Sequence, residues 1–341
     1  MMEASPTIAV TRSTRSSRIA GMASLVLLAG LLAAPWWASR AMLHLIGEFA
    51  TYVALASFWN LLAGYTGLVS VGQQAYVGLG GYVVFTCALF LGLSPLAAIV
   101  LAGVIAGLAA IPVASLVFRL QGAYFAIGSW VVAEVFRLGF AQVAPLGGGS
   151  GISLPLDAVR AIAATRDLRE WIVYWVAIGL GSGAVGLVYL LLRSRIGLAL
   201  TAIRDSNVAA SSLGVRIERM KLAVFVLAAA GTGMVGALIF LQKLRISPDA
   251  AFSVNDWTAF VIFIVVIGGI GTIEGPVIGT LVYFLLREYL ADLGSLYLVI
   301  LGALAIIIML AAPKGIWGYI AARYGISLFP TGYRIVWIEA P

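Results

Sequence analysis

Cysteine, histidine and charged residues are scarce in this sequence. The 341-residue chain has one cysteine and one histidine, and charged residues make up only 10% of it. A soluble domain carries about 25% charged residues, so a chain that is 62% hydrophobic would have too little polar surface to remain dissolved. A single cysteine, Cys87, excludes an intrachain disulfide, and we expect no metal site from Cys87 and the distant His44. The composition therefore predicts a membrane protein.

Motifs for nucleotide binding and catalysis are also absent. None of the three lysines, Lys221, Lys243 and Lys314, lies in a G-x-x-x-x-G-K-[ST] phosphate loop. The sequence has no G-x-S-x-G nucleophile elbow and no H-E-x-x-H zinc motif. The net charge of +7 comes without a basic patch interleaved with aromatic residues, so we expect no nucleic-acid partner. We predict no enzymatic activity and no bound cofactor; if ATP is used, another subunit must bind it.

Long apolar runs are what the sequence has instead. Runs of about 20 residues cross a bilayer as helices, and the pattern predicts about ten of them. The predicted spans are 19–38, 41–63, 72–93, 95–118, 122–141, 170–192, 220–241, 257–273, 275–291 and 294–312. The two short pieces 257–273 and 275–291 fit either a helical hairpin or one long broken span. The predicted fold class is all-α, a polytopic membrane protein with Gly-broken segments.

Basic residues predict the orientation, because they gather on cytoplasmic loops. A cytoplasmic N-terminus places the basic segment 193–219 and the basic tail on the same side. The first apolar run also resembles a signal peptide, but its length favours an uncleaved first span. We therefore predict a cytoplasmic N-terminus over 1–18, a transmembrane domain over 19–318 and a cytoplasmic tail over 319–341.

Glycine gathers in two clusters that interrupt apolar sequence, NLLAGYTGLVSVGQQAYVGLGGY at 60–82 and VVIGGIGTIEGPVIGT at 265–280. Such breaks are tolerated where backbone is buried in protein or lines a wet cavity. A pair of them in a transporter points to the substrate path, whereas tight helix packing or short loops at the membrane face is the alternative. The candidate path residues are Asn60, Gly64, Gly67, Ser70, Gln73, Gln74, Glu134, Gly268, Gly271 and Glu274.

Charged residues inside spans are expensive and often functional. Glu134 and Arg137 lie three residues apart on one helix face, which favours a self-neutralising structural pair over a cavity-lining pair. Glu48 lies one turn from His44, and these two residues would mark a proton path. A third group ends the ninth span and is expected to snorkel to the interface: Arg287, Glu288 and Asp292.

The most polar long stretch is SRIGLALTAIRDSNVAASSLGVRIERMK, residues 194–221. Ile196, Leu200 and Ile203 fall on one helical stripe. The following DSN offers three N-cap residues in a row, and Gly214 is suited to end a second short helix. We predict two short cytoplasmic helices joined by a polar elbow. Their many small residues favour close docking of a partner over a loop resting on the headgroups.

At these residues the sequence resembles a known family. GLALTAIRDSNVAASSLGV, followed by KLAVFVLAAAGTGMVGAL, is similar to the cytoplasmic motif of permease subunits of branched-chain amino acid ABC transporters of the LivM type. The resemblance continues through NLLAGYTGLVSVGQQAYVGLGGY, GAYFAIGSWVVAEVFRLGF, SPDAAFSV, VVIGGIGTIEGPVIGT and PKGIWG.

The resemblance implies an inner-membrane subunit of a bacterial importer. Such permeases pair with a second permease subunit in the lipid bilayer, two cytoplasmic ATPase subunits hold ATP and Mg²⁺, and a periplasmic binding protein delivers the substrate. The segment 193–219 would dock on the ATPase. The positions that the resemblance assigns to this coupling are Arg204, Asp205, Ala209, Ala210 and Gly214.

The substrate is less defined than the family. Similar permeases carry urea, short amides or aromatic acids as well as branched-chain amino acids. This sequence has Gln73 and Gln74 where many members have Gly-His, and LGGGS at 146–150 where many have TGGPN. An alternative of another class is an ion-coupled secondary transporter that uses His44, Glu48 and Glu134.

Overall fold

The described residues of the computed structural model are 7–11, 15–163, 165–294, 296–324, 326, 328–331 and 334–338. They form mainly helices. The helices are α1 (Arg15–Leu32), α2 (Arg40–Thr66), α3 (Gln74–Thr86), α4 (Pro95–Val117), α5 (Ala123–Ala141), α6 (Leu156–Arg160), α7 (Arg166–Arg193), α8 (Arg195–Asp205), α9 (Asn207–Ser212), α10 (Ile217–Lys243), α11 (Pro248–Ala251), α12 (Phe260–Gly268), α13 (Gly275–Leu290), α14 (Leu296–Ala311) and α15 (Gly315–Tyr324).

Short strands pair in two places. β1 (Thr7–Thr11) runs antiparallel to β4 (Arg334–Ile338), and β2 (Ile152–Ser153) runs antiparallel to β3 (Arg245–Ile246). The first pair brings residues 7–11 beside residues 334–338. The predicted tail over 319–341 therefore includes a strand and the end of α15, although its cytoplasmic position stays a prediction.

Eight helical stretches within the described residues are long and apolar enough to cross a membrane. They are Arg40–Thr66, Gln74–Leu91, Pro95–Val117, Ala123–Ala141, Arg166–Arg193, Ile217–Lys243, Pro248–Gly268 and Leu296–Tyr324. The shorter helices α1 and α13 occupy the places of the first and ninth predicted spans. The predicted all-α, polytopic fold class is confirmed.

Several predicted span boundaries differ from the structure; the eighth span, for example, was predicted to reach residue 273, but α12 ends at Gly268. The first span was predicted to reach residue 38, but α1 ends at Leu32 and a 3₁₀ turn follows at Ala34–Trp36. Pro35 lies in that turn and lacks the N–H that a continuing helix needs. The third helix begins at Gln74 rather than at residue 72.

The centre of the bundle is α10, which packs against α2, α3, α4 and α7. Small residues bring these helices close together: a β-carbon on Gly107 of α4 would lie 3.3 Å from Cβ of Ala230, and one on Gly233 would lie 3.1 Å from the carbonyl oxygen of Ala102. Within a bilayer, such close approach replaces the hydrophobic driving force.

Helices α12 and α13 form a hairpin. A β-carbon on Gly279 would collide with the carbonyl of Ile264, and one on Gly268 would collide with that of Gly275. Residues before the turn thus face residues after it in antiparallel order. This answers the open question about 257–291, because a single broken span would not fold back on itself.

The bundle has two distinct ends. The lower end, as we name it, holds α8, α9 and the hairpin turn 269–274. The upper end holds the start of α2 and the end of α13, where Glu48 meets Arg287. Since α2 contacts the turn near its C-terminus and Arg287 near its N-terminus, it connects both ends.

Candidate functional site

Irregular backbone lies inside the bundle between α2 and α3. Gly67, with φ of 71°, ends α2 in the left-handed conformation, and the chain stays non-helical until residue 73. Trp59 Nε1 donates to the carbonyl of the buried Ser70 at 2.8 Å. The Ser70 hydroxyl accepts from the Gly72 amide at 3.2 Å. Gly67 and Val69 of this segment are exposed, whereas Leu68, Ser70 and Gly72 are buried; non-helical backbone at membrane depth is tolerated where protein surrounds it or where it lines a wet cavity.

Two glutamines join this irregular segment to the surrounding helices. The buried Gln73 donates from Nε2 to the Leu55 carbonyl at 3.0 Å and to Thr232 Oγ1 at 3.1 Å. Its Oε1 has no hydrogen-bond partner among the described residues. The side-chain oxygen of Gln74 accepts from the Thr258 hydroxyl. Gln73 and Gln74, both predicted path residues, therefore hold the non-helical segment between α2 and α3 against the neighbouring helices.

Asn60 fastens the hairpin turn to α2. Its Nδ2 donates to the Thr272 carbonyl at 2.7 Å, and its Oδ1 accepts from the Gly271 amide at 2.8 Å. Asn60 is only 1% exposed. One turn later, a β-carbon on Gly64 would lie 2.6 Å from the Gly271 nitrogen, so only glycine allows this approach. The two predicted glycine clusters thus meet at one point.

The hairpin turn also contacts the C-terminal segment and α8. Glu274 Oε1 accepts from the Phe329 amide at 3.0 Å. The turn itself is closed by Thr272, whose hydroxyl donates to the Gly269 carbonyl at 2.7 Å. A β-carbon on Gly271 would lie 3.8 Å from Nη1 of Arg204. The lower end therefore places α8 beside the turn that Asn60 holds.

The segment after α7 folds as two short helices, as the sequence predicts. Ser194 caps α8 by accepting from the Ile196 amide at 3.2 Å, and Ser206 caps α9 by accepting from the Ala209 amide at 3.2 Å. Gly214 follows α9 with φ of 81°, a conformation that costs a non-glycine residue about 1 kcal/mol. The serine is the cap among the three DSN residues.

The buried face of α8 differs in part from the predicted stripe. Leu200 and Ile203 are buried, but Ile196 is 43% exposed. Gly197 is buried instead, because the corner between α7 and α8 is so tight that a β-carbon there would collide with the Leu192 carbonyl. Of the three residues on the predicted stripe, Leu200 and Ile203 are therefore the ones that pack inward.

Among the predicted coupling positions, Ala210 does not reach the surface. Ala210 is fully buried, so it packs α9 against the rest of this chain and is not accessible to a partner. Arg204 and Asp205 are exposed and lie 3.0 Å apart from Nε to Oδ1, and Ala209 and Gly214 are exposed beside them.

Two large apolar side chains on the same surface were missed by the sequence reasoning. Val208 is 77% exposed and Leu213 is 79% exposed. Val208 and Leu213 lie five residues apart in an alanine-rich segment, and this spacing matches no helical stripe that would have predicted an apolar surface. Together with the exposed Arg204, Asp205 and Ala209 they are the exposed residues of α8, α9 and the turn after α9 that we name the coupling surface.

A cavity of about 490 Å³ opens at the upper end. Its lining residues are His44, Glu48, Thr51, Tyr52, Ile239, Gln242, Lys243, Asp256, Trp257, Phe260, Tyr283, Arg287 and Tyr297. Arg287 donates to both carboxylate oxygens of Glu48, at 2.7 and 2.9 Å. A neighbouring cavity of about 590 Å³ shares His44 and Gln242 with it. We name the cavity of about 490 Å³ the upper cavity.

The upper cavity joins two charged residues that the sequence analysis treated separately. Glu48 was predicted to form a proton path with His44, but its carboxylate is held by Arg287. Arg287 was expected to snorkel to the interface, which stays a prediction; its guanidinium binds Glu48 of α2. The presence of opposite charges in two different apolar spans is the sequence feature that could have indicated the Glu48–Arg287 pair.

Glu134 lies away from the other path candidates. It pairs with Arg137 at 2.5 Å, and Arg137 also contacts Asp249 at 2.6 Å. The favoured structural interpretation of this pair fits the geometry, because the triad joins α5 to α11. The remaining path candidates lie around the break and the hairpin turn, and none of them lines the upper cavity.

Comparisons with known proteins relate the chain to transport permeases. The profile of the branched-chain amino acid transport system permease component matches residues 41–309. The high-affinity branched-chain amino acid transport system permease proteins LivM of Salmonella typhimurium and of Escherichia coli are each 27% identical over 330 residues, covering 90% of this chain and 76% of the relative. BraD of Pseudomonas aeruginosa, a permease protein of such a system, is 24% identical over 306 residues, which are 79% of this chain and 92% of the relative.

No solved structure matches the chain. The family profile covers well over half of the sequence, and it includes α2, the hairpin and the coupling surface. The chain therefore belongs to the family of permease components of branched-chain amino acid transport systems.

Proposed function

We propose that this chain is a membrane-spanning subunit of an ATP-driven importer of branched-chain amino acids in a bacterial inner membrane. It pairs with a second permease subunit, while two cytoplasmic ATPase subunits bind beneath it and a periplasmic binding protein delivers the substrate. The support is the family membership, the names of the relatives and the absence of a phosphate loop in the sequence. Both termini and the lower end then lie in the cytoplasm.

The coupling surface is the observation that carries this proposal. Val208 and Leu213 expose apolar side chains next to the charged Arg204 and Asp205. A transporter that works as a single chain needs no exposed apolar residues on a cytoplasmic segment. Apolar residues surrounded by polar ones are, in contrast, typical of protein interfaces. We infer that an ATPase subunit covers this surface and moves α8 and α9 during its cycle.

The contacts of α8 suggest how that motion reaches the bundle. Arg204 lies beside the hairpin turn, and Asn60 binds the turn to α2 through two hydrogen bonds. Helix α2 continues to the upper end, where Glu48 is bound to Arg287 of α13. A displacement of α8 would thus act on both arms of the hairpin, and opening and closing of the path at alternate ends follows from such rocking.

Reconstitution tests the proposal directly. Proteoliposomes would contain this chain, its partner permease and the ATPase subunits, with binding protein outside and ATP inside, and labelled leucine uptake would be measured. We expect uptake that stops when the ATPase subunits are replaced by a variant unable to hydrolyse ATP. Persistence of uptake with that variant, or uptake by this chain alone in an ion gradient, would refute the proposal.

Competition in the same assay addresses the substrate. We expect excess unlabelled isoleucine and valine to suppress leucine uptake, and urea and aromatic acids to leave it unchanged. Suppression by urea or by aromatic acids would move the assignment to another branch of the family while leaving the importer mechanism in place.

A further inference from the structure

The upper cavity contains one ammonium group and one carboxylate that form no salt bridge with any residue that the structure describes. Besides the imidazole of His44, the lining contains the charged side chains Glu48, Lys243, Asp256 and Arg287. Glu48 and Arg287 bind each other. Among the described residues, neither Lys243 nor Asp256 takes part in a salt bridge. One positive and one negative group therefore remain available in the same cavity.

The ammonium group of Lys243 lies against two aromatic rings. Its Nζ lies 4.7 Å from the ring centre of Trp257 and 5.7 Å from that of Phe240. Such cation–π contacts orient an ammonium group and leave its hydrogen-bond donors free on the other side. Asp256 immediately precedes Trp257, so the same π-helical turn, Asn255–Ala259, places the carboxylate and the aromatic ring.

Aromatic side chains supply the rest of the cavity wall. Tyr52 lies 5.5 Å from Tyr283 and 6.4 Å from Trp257, measured between ring centres. Phe260 lies 5.2 Å from Tyr283 and 6.2 Å from Tyr297. An apolar wall with a few placed charges is the usual composition of a small-molecule site, and about 490 Å³ falls within the usual size range.

We propose that the upper cavity binds a zwitterionic α-amino acid, with its carboxylate on Lys243, its ammonium group on Asp256 and its apolar side chain against the aromatic wall. The proposal rests on the proposed function, which places the upper end on the periplasmic side where substrate arrives. The Glu48–Arg287 pair forms part of the wall, and because its charges are already matched it does not compete for the ligand.

Binding of labelled leucine to the complete transporter, without its binding protein, tests this site. The transporter would be embedded in nanodiscs, and equilibrium binding would be measured for the wild type, Lys243→Gln and Asp256→Asn. Matched controls are Arg245→Gln and Asp292→Asn, which change exposed charges outside the cavity lining. We expect saturable binding in the wild type and both controls, with affinity at least tenfold weaker in each cavity variant.

Ligand analogues show whether the ligand carboxylate binds Lys243 and the ligand ammonium group binds Asp256. Leucinamide lacks the carboxylate, so the preference for leucine over leucinamide should collapse in Lys243→Gln and persist in Asp256→Asn. 4-Methylpentanoate lacks the ammonium group, so the preference for leucine over this acid should collapse only in Asp256→Asn. Equal loss for leucine and both analogues, in a variant that still assembles with its partner subunits in the nanodisc, would overturn the assignment.

Other outcomes separate the site from the proposed function. ATP-driven leucine uptake by the same preparation, combined with no saturable binding or with unchanged affinity in both variants, would refute the site and leave the importer intact. Saturable leucine binding that fails to give ATP-driven uptake would support the site and refute the importer.

Discussion

Arg287 near the end of α13 donates two hydrogen bonds to Glu48 in the first half of α2, across 239 positions of sequence. The side chains are 33% and 30% exposed, so water screens the pair only in part. The Arg287 guanidinium also lies 4.5 Å from the ring centre of Phe284. This bidentate contact ties the second arm of the hairpin to α2 at the upper end.

Glu48→Gln should destabilise the protein. The change leaves the partly buried Arg287 without its counter-charge, and we expect a loss of about 1–3 kcal/mol in the free energy of unfolding, between the values for exposed and buried pairs. Thermal unfolding of the purified protein in mild detergent measures it. The control is Arg166→Gln, which removes a more exposed partner of Glu170 and should cost about 0.5 kcal/mol or less. Equal effects of the two changes would contradict the prediction.

Asn60→Ala should release the hairpin turn from α2. Two hydrogen bonds to backbone are lost, each worth about 1 kcal/mol, so amide exchange over residues 269–274 should accelerate by roughly 30-fold. Hydrogen–deuterium exchange with mass spectrometry detects this. Ser182→Ala is the control, because that hydroxyl bonds only within its own helix, to the Ile178 carbonyl. Unchanged exchange in 269–274 would show that the turn is held by other contacts.

Hydropathy predicted the helices well because the bilayer imposes their length. A span needs about 20 apolar residues, so α2, α4 and α10 were found within a few residues of their bounds. Local rules worked in the same way for α9, where a serine cap and Gly214 mark the two ends. These features depend on neighbours in sequence and on the solvent alone.

Contacts between distant spans could not be predicted from the sequence. Nothing in one chain's periodicity says that Asn60 meets Gly271 or that Glu48 meets Arg287, since hydropathy does not identify which helices are neighbours. The polar residues around the break were assigned to the substrate path, yet Gln73 and Asn60 bind backbone of other elements. Polar groups within a bilayer need partners, and here protein backbone supplies them.

Gly64→Ala should disturb the contact between α2 and the hairpin turn. The new β-carbon would lie 2.6 Å from the Gly271 nitrogen and 2.7 Å from its Cα, and backbone gives way less easily than a side chain. We expect a cost of about 1–3 kcal/mol from overpacking, measured by thermal unfolding. Gly139→Ala in α5 is the matched control, because no atom lies within 4 Å of its β-carbon position. A smaller loss for Gly64→Ala than for Gly139→Ala would contradict this packing.

Leu213→Glu should uncouple transport without unfolding the chain. Leu213 is 79% exposed, so the charge costs little in the isolated subunit, but under an ATPase subunit it would be desolvated. An unpaired buried charge costs several kcal/mol, and we expect ATP-driven leucine uptake to fall at least tenfold while the amount of chain in the membrane stays constant. Arg323→Glu, an exposed charge change at the end of α15, should retain uptake. If Leu213→Glu transports normally, the coupling surface does not lie under the ATPase, because no docked interface would accept the carboxylate there.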